Sequence, residues 1–228
     1  MKAMLLAAGR GARLKPLTND IPKPLLSVGP YRLIEHNLCA LKQAGIDEVV
    51  INVCYHAKKI IECVGDGRRY GLTIEYSYEQ NTPLGTGGGI YQALTLLGEA
   101  PFIVISADIW SQFEFSSIIL NATQEAHVVL VENPSFHTQG DYALSEAGQV
   151  MLQGRKLTYA GIAKLDPKLF NHCQPGVFSL SPLLNAAIAR GAVSGELYRG
   201  DWFNVGTIEE LHRLTKKLAG HPSHSIGK

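Results

Sequence analysis

The residue types that handle phosphate concentrate in a few short stretches. The first runs Leu6-Ala7-Ala8-Gly9-Arg10-Gly11-Ala12-Arg13-Leu14-Lys15-Pro16-Leu17-Thr18 and is followed by Pro22-Lys23-Pro24-Leu25. Glycines placed just after an apolar run let the backbone approach a ligand closely and turn its N–H groups toward phosphate oxygens. Two familiar phosphate loops are excluded. A dinucleotide fingerprint needs glycine at position 14, where Leu14 stands, and no G-x-x-x-x-G-K-[ST] string occurs. What the stretch offers instead is fixed positive charge, with Arg13 inside it and Lys23 held between two prolines. A nucleoside triphosphate meeting a phosphorylated substrate gathers about six negative charges, and such cations let the two anions approach. A second stretch, Leu84-Gly85-Thr86-Gly87-Gly88-Gly89, leads directly into a helical pattern. A third, Ser106-Ala107-Asp108, ends the most apolar run of the chain. A single carboxylate there suits Mg²⁺, which takes few protein ligands and completes its shell with phosphate and water. Asp108 reads equally as the N-cap of a helix over 113–120. No H-x₃-H or H-E-x-x-H pattern and no Ser/His/Asp arrangement is visible among the eight histidines. Transfer to an already ionised phosphate oxygen needs neither, because that oxygen attacks phosphorus without a general base and positioning and charge stabilisation carry the reaction.

The elements that must hold these stretches alternate. Lys2 to Ala7, Glu48 to Val53, Leu72 to Tyr78 and Pro101 to Ser106 read as strands, and Leu33 to Ala44, His56 to Val64 and Thr86 to Leu97 read as helices. Strands alternating with helices imply right-handed crossovers and an α/β fold with a parallel sheet, whose ligands sit outside the carboxyl ends of the strands. The unbroken apolar run at 101–106 marks a central strand covered on both faces. The second half is less regular: a strand at Ala126 to Val131, a hairpin joining 142–144 to 150–152, a strand at Tyr159 to Leu165, and helices at Ser181 to Arg190 and Ile208 to Leu218. The expected organisation is one domain over 1–220, with a nucleotide half to about 120 and a sugar-phosphate half beyond it, and a frayed polar tail at 221–228. Among 228 residues, 21 Lys+Arg against 20 Asp+Glu give +1, which disfavours a nucleic-acid partner. No apolar run reaches the ~18 residues of a membrane span, and the start lacks a secretory leader. Four cysteines without a C-x-x-C pair suggest reduced thiols in a cytoplasmic protein.

The whole string from Leu6 to Leu25 resembles the signature of the sugar-1-phosphate nucleotidyltransferases, L-A-A-G-x-G-x-R-L-x-P-L-T followed by P-K-P-L. The likeness continues through Leu84–Gly89, Ser106–Asp108 and Trp202-Phe203-Asn204-Val205-Gly206-Thr207. Within the family the chain looks most like the compact bacterial N-acetylmuramate α-1-phosphate uridylyltransferases, through Gly140-Asp141-Tyr142, Ser194-Gly195-Glu196 and Tyr198-Arg199-Gly200. The resemblance implies a Rossmann-like, mostly parallel mixed sheet flanked by helices, with a small β-hairpin appendage near the sugar. It implies a Mg²⁺-dependent reaction of a nucleoside triphosphate, UTP favoured, with a sugar 1-phosphate, N-acetylmuramate α-1-phosphate favoured and mannose 1-phosphate with GTP as the alternative. Residues 6–9, Gly11, Ala12, Glu79, Gly85 and Thr86 would then surround the nucleotide. Arg13 would hold its β- and γ-phosphates and Lys23 the oxygens near the reacting centre. Glu79 and Gln80 are candidates to contact the base. Asp108 would be the metal aspartate, although the family usually has Gly-Asp where this chain has Ala107-Asp108. The second metal ligand of the W-x-D-x-G-T pattern falls on Asn204, a neutral amide. That departure allows weaker metal binding, or a catalytically silent sugar-nucleotide-binding subunit. Asp201, on a strand that alternates faces, should point elsewhere. Asp141, Gly161 and Tyr198 match positions near the sugar. Oligomeric state is not legible in the residues.

Overall fold

A computed structural model describes residues 1–80, 82–120 and 124–219. The tail expected at 221–228 lies outside the described residues. In chain order the strands are β1 (Lys2–Leu6), β2 (Ser27–Val28), β3 (Tyr31–Arg32), β4 (Glu48–Val53), β5 (Thr73–Tyr78), β6 (Phe102–Ser106), β7 (Ile109–Ser111), β8 (Ala126–Val131), β9 (Tyr142–Leu144), β10 (Val150–Met151), β11 (Lys156–Leu165), β12 (Val193–Leu197) and β13 (Trp202–Asn204). The helices are α1 (Leu33–Gln43), α2 (Ala57–Val64), α3 (Gly85–Leu97), α4 (Phe115–Leu120), α5 (Ser181–Ala189) and α6 (Ile208–Ala219).

One nine-stranded sheet spans both halves in the order β10-β9-β11-β6-β1-β4-β5, with β8 pairing β11 and β12. β1 runs parallel to β4 and β6, and β4 parallel to β5. β11 runs antiparallel to β6, β8 and β9 and joins the parallel half to the rest. The sheet is therefore mixed and mostly parallel in the half that carries the phosphate loop. β6 lies between β1 and β11, the interior place that its unbroken hydrophobicity demands. Alternate residues of each strand feed opposite faces. Leu5, Ile51, Ile103 and Ile105 pack with Ile34, Leu38 and Ile60 on one side. Met4, Val50, Phe102 and Val104 pack with Ile90, Ala93 and Leu184 on the other. Helices thus cover both faces, α1 and α2 on one, α3 and α5 on the other.

The local chemistry of the elements is conventional. Gly45, at φ 80°, ends α1, and Ile46 N–H reaches back to the Leu41 carbonyl. α6 opens on a capping box in which Glu210 Oε2 accepts from the N–H groups of Gly206 and Thr207 at 2.7 and 3.0 Å. The helix expected over 113–120 begins two residues later, at Phe115, so Asp108 is not its cap. All four cysteines are free. Among the described residues no helix is long and apolar enough to cross a membrane.

Candidate active site

A cavity of about 360 Å³ opens at the carboxyl ends of β1, β4 and β6. Its walls include Leu6, Ala7, Ala8, Gly9, Gly11, Ala12, Arg13, Lys23, Glu79, Gly85 and Thr86, together with Asp108. Gly11 takes φ 61°, which lets the chain leave β1 and turn at once into a single 3₁₀ turn at Ala12–Leu14. The buried Thr18 hydroxyl donates to the Gly11 carbonyl at 2.9 Å and closes the loop. Lys23 starts a second 3₁₀ turn whose Pro24 and Leu25 are buried, so the ammonium projects from an anchored position. Gly9 faces open space: a Cβ there would meet nothing within 4 Å.

The two cations sit differently. Arg13 is exposed, and its guanidinium passes Gly206, where a Cβ would lie 3.4 Å from Nη2. Lys23 Nζ is bonded to Asp108 Oδ2 at 2.5 Å, with side chains 11% and 29% exposed. The ammonium and the carboxylate neutralise each other across 85 residues of chain.

β7 and β13 form a separate two-stranded antiparallel sheet. Asn204 pairs with Ile109, and Val205 N–H donates to the Asp108 carbonyl at 2.9 Å, which brings Asn204 beside Asp108. Trp202 anchors this sheet, its indole N–H donating to the Ala160 carbonyl at 2.9 Å. That carbonyl is freed by an irregularity in β11 between Tyr159 and Ala163. Asn204 Oδ1 is buried and has no hydrogen-bond partner among the described residues. A buried acceptor left without a donor costs about 1–3 kcal/mol, so it marks a place where something else supplies the positive end. A carboxylate beside an orphaned amide oxygen is a hard-oxygen pair suited to Mg²⁺, and these two residues would hold it. Among the described residues no three His, Cys, Asp or Glu side chains gather into a ligand set, so the rest of such a shell would come from phosphate and water. Asp201 points away and pairs with Lys217 at 2.7 Å, as strand alternation requires.

Three groups of these residues also carry contacts within the fold. Glu79 lines the cavity but is 4% exposed, and both its oxygens are engaged, by Asn52 Nδ2 and by Leu84 N–H. Its carboxylate braces the wall, and Gln80 is exposed outside the lining. Beyond Gly85 and Thr86, the glycines of the 84–89 stretch face protein. Gly87 and Gly88 N–H both donate to the Phe178 carbonyl, at 3.0 and 3.1 Å, and Leu180 N–H donates to the Thr86 hydroxyl at 2.9 Å. A Cβ at 87 or 88 would strike the 176–179 segment at 2.2–2.5 Å. Gly85 and Thr86 remain on the cavity wall. The sugar-side residues lie outside the lining. Asp141 accepts from Tyr159 N–H at 2.8 Å and meets His137 at 3.1 Å, which fits a strand cap. Tyr198 stacks edge-on with Phe113 and bonds the Asp201 carbonyl. Gly161, at φ 73°, packs against Ser106, itself a lining residue.

Sequence reasoning missed Asn52, which lines the cavity at the end of β4 and accepts from Ala7 N–H at 2.8 Å. It also missed the segment 176–180, which covers the start of α3. An asparagine closing an apolar strand was the available signal for the first; nothing local marks the second.

Comparisons with known proteins agree with this geometry. The family model for nucleotidyl transferases matches residues 2–148. The chain is 41% identical to the N-acetylmuramate alpha-1-phosphate uridylyltransferase of Neisseria meningitidis serogroup B, over 96% of this chain and 99% of that one. It is 36% identical to the protein of the same name from Caulobacter vibrioides, over 95% and 96%. A crystal structure of a Bacillus anthracis chain provisionally named a glucose-1-phosphate thymidylyltransferase superposes with a TM-score of 0.87 over 100% of this chain and 98% of that one; at 24% identity it speaks to the fold alone. This chain belongs to the nucleotidyl transferase family, as an enzyme of the sugar-1-phosphate nucleotidyltransferase type.

Proposed function

We propose that the protein transfers UMP from UTP to N-acetylmuramate α-1-phosphate, releasing pyrophosphate and supplying a UDP-sugar in peptidoglycan recycling, with Mg²⁺ as cofactor. The observation that carries the site is the cavity of about 360 Å³ at the strand ends, walled by the glycine loop, Arg13 and the Lys23–Asp108 pair. Support for the sugar and the base comes from the two relatives of nearly full length that bear that name.

In this reading the loop at 6–13 receives the triphosphate, and Arg13 draws its outer phosphates. Lys23 exchanges the Asp108 carboxylate for phosphate oxygens and stabilises the charge that gathers there in the transition state. Asp108 and Asn204 would hold magnesium, which when bound would offset phosphate charge and polarise the α-phosphate. The sugar phosphate is already ionised, so the protein's work is to align its oxygen in line with the departing pyrophosphate. Asn204 supplies an oxygen without a formal charge, and bound phosphates make up the difference.

The test is pyrophosphate release from a panel of nucleoside triphosphates against N-acetylmuramate α-1-phosphate, mannose 1-phosphate and glucose 1-phosphate. The reading expects UTP with the muramate phosphate to give the highest kcat/KM. Preference for GTP with mannose 1-phosphate would replace it with a guanylyltransferase, and binding without turnover at any Mg²⁺ concentration would make the chain a silent subunit.

A further inference from the structure

A buried relay of hydrogen bonds crosses the floor of the cavity. Asn52 and Glu79 are 3% and 4% exposed. Ala7 N–H donates to Asn52 Oδ1 at 2.8 Å, Asn52 Nδ2 donates to Glu79 Oε1 at 2.5 Å, and Leu84 N–H donates to Glu79 Oε2 at 2.6 Å. The relay therefore ties the peptide that opens the glycine loop to the peptide that precedes α3, and Ala7, Pro83 and Gly85 on these two segments all line the cavity. The helix is shaped around it: a Cβ at Gly89 would lie 2.4 Å from Glu79 Oε1 and 2.8 Å from Asn52 Nδ2. A buried carboxylate is expensive to desolvate, and apolar residues of similar volume commonly serve stability as well or better. Stability alone gives no reason for this pair to stand here.

We propose that Asn52 and Glu79 are positioning residues for the nucleoside triphosphate, setting the distance between the 6–9 loop and the 83–86 turn. The inference rests on the reading that this cavity takes the nucleotide. The polar atoms of the pair face each other and the main chain, so they act through the walls and not on the reacting phosphorus. Their effect falls on nucleotide affinity, with turnover and sugar-phosphate affinity spared.

The relay has a direction, which makes it testable by reversal. Asn52→Asp alone sets two carboxylates against each other. Glu79→Gln alone leaves a donor facing a donor somewhere in the relay, however the two amides turn. Together, Asn52→Asp with Glu79→Gln reverses the middle bond, satisfies all three contacts again and keeps one negative charge. The experiment is UTP binding by calorimetry, together with steady-state kinetics at mildly alkaline pH, on the wild type, both single variants and the double. Each single variant is expected to raise Kd and KM for UTP about tenfold, the scale of one buried charge-assisted hydrogen bond, with kcat and the sugar-phosphate KM within about threefold. The double variant should return UTP affinity to within about threefold of wild type. Single variants that melt earlier but bind UTP normally overturn the proposal, as does a double no better than the singles, or a fall in kcat matching the rise in KM. Lys23→Ala serves as the reference. If it weakens UTP binding and the relay variants do not, the relay alone fails. A wild-type chain that binds no nucleoside triphosphate overturns both this inference and the function it rests on.

Discussion

Lys23→Ala removes the ammonium now bonded to Asp108 at 2.5 Å and separates two consequences that are easily confused. The first is stability. Stripping one partner from a fully buried ion pair costs about 3–5 kcal/mol, whereas exposed pairs are worth about 0.2–1. Lys23 is 11% exposed but Asp108 is 29% exposed, so water can reach the stranded carboxylate. The loss should be about 1.5 kcal/mol, or about 3–6 °C in Tm for a chain of this size. The second is catalysis. A preorganised donor aimed at developing phosphate charge is worth about 10²–10³ in rate, or about 2.7–4 kcal/mol. The assay is kcat/KM from pyrophosphate release at 25 °C, with a melting curve on the same preparation; at that temperature a loss of this size leaves the variant folded. A variant that keeps near-normal turnover refutes the placement of Lys23 at the phosphates. An activity loss that merely tracks the unfolded fraction refutes the division made here.

Asn204→Leu replaces an amide by an apolar group of similar shape and removes the orphaned acceptor, so it should melt no lower than wild type, and up to about 1 kcal/mol more stably, while losing most activity. Scanning calorimetry beside the kinetic assay reads both. Gly9→Ala should leave Tm unchanged, because its methyl meets nothing within 4 Å, yet raise KM for the nucleotide if close backbone approach is what the glycine provides. Gly88→Ala should do the opposite and lower Tm by several degrees, since its methyl would lie 2.2 Å from the Gly176 carbonyl. Burial, then the Glu35 carboxylate, pushes the Cys39 thiol from the ordinary 9.0 up to about 11. The folded state holds that proton more tightly than the unfolded chain, so this contribution to stability is present below pH 9.0 and fades as pH rises toward 11. Melts across that range should decline, and Cys39→Ala should decline less.

The sheet and the first wall of the site were legible because their causes are local. Glycines after an apolar run, a cation between prolines and a strand ending in Asp108 each declare themselves within a few residues. The contacts that complete the site are not local. Asn52 gains meaning only from Ala7 and Glu79, 45 and 27 residues away. Gly87, Gly88 and Gly89 share one stretch with the wall residue Gly85, and glycine signals close approach without naming the approaching group. Here that group is the 176–179 segment for Gly87 and Gly88, and the Asn52–Glu79 pair for Gly89. β7 and β13 are three-residue strands, too short to carry a periodicity, yet their pairing alone sets Asn204 beside Asp108. Asp141 and Tyr198 likewise make contacts that no motif announces, bonding the Tyr159 N–H and the Asp201 carbonyl.

The pairing of β13 with β7 also orders events during synthesis. Asp108 and the glycine loop leave the ribosome well before Asn204, the asparagine that β13 sets beside that aspartate. A chain cut short anywhere before β13 would possess the phosphate loop without the partner of its aspartate. Incomplete translation products should therefore be inert, unable to turn over nucleotide while the cell clears them.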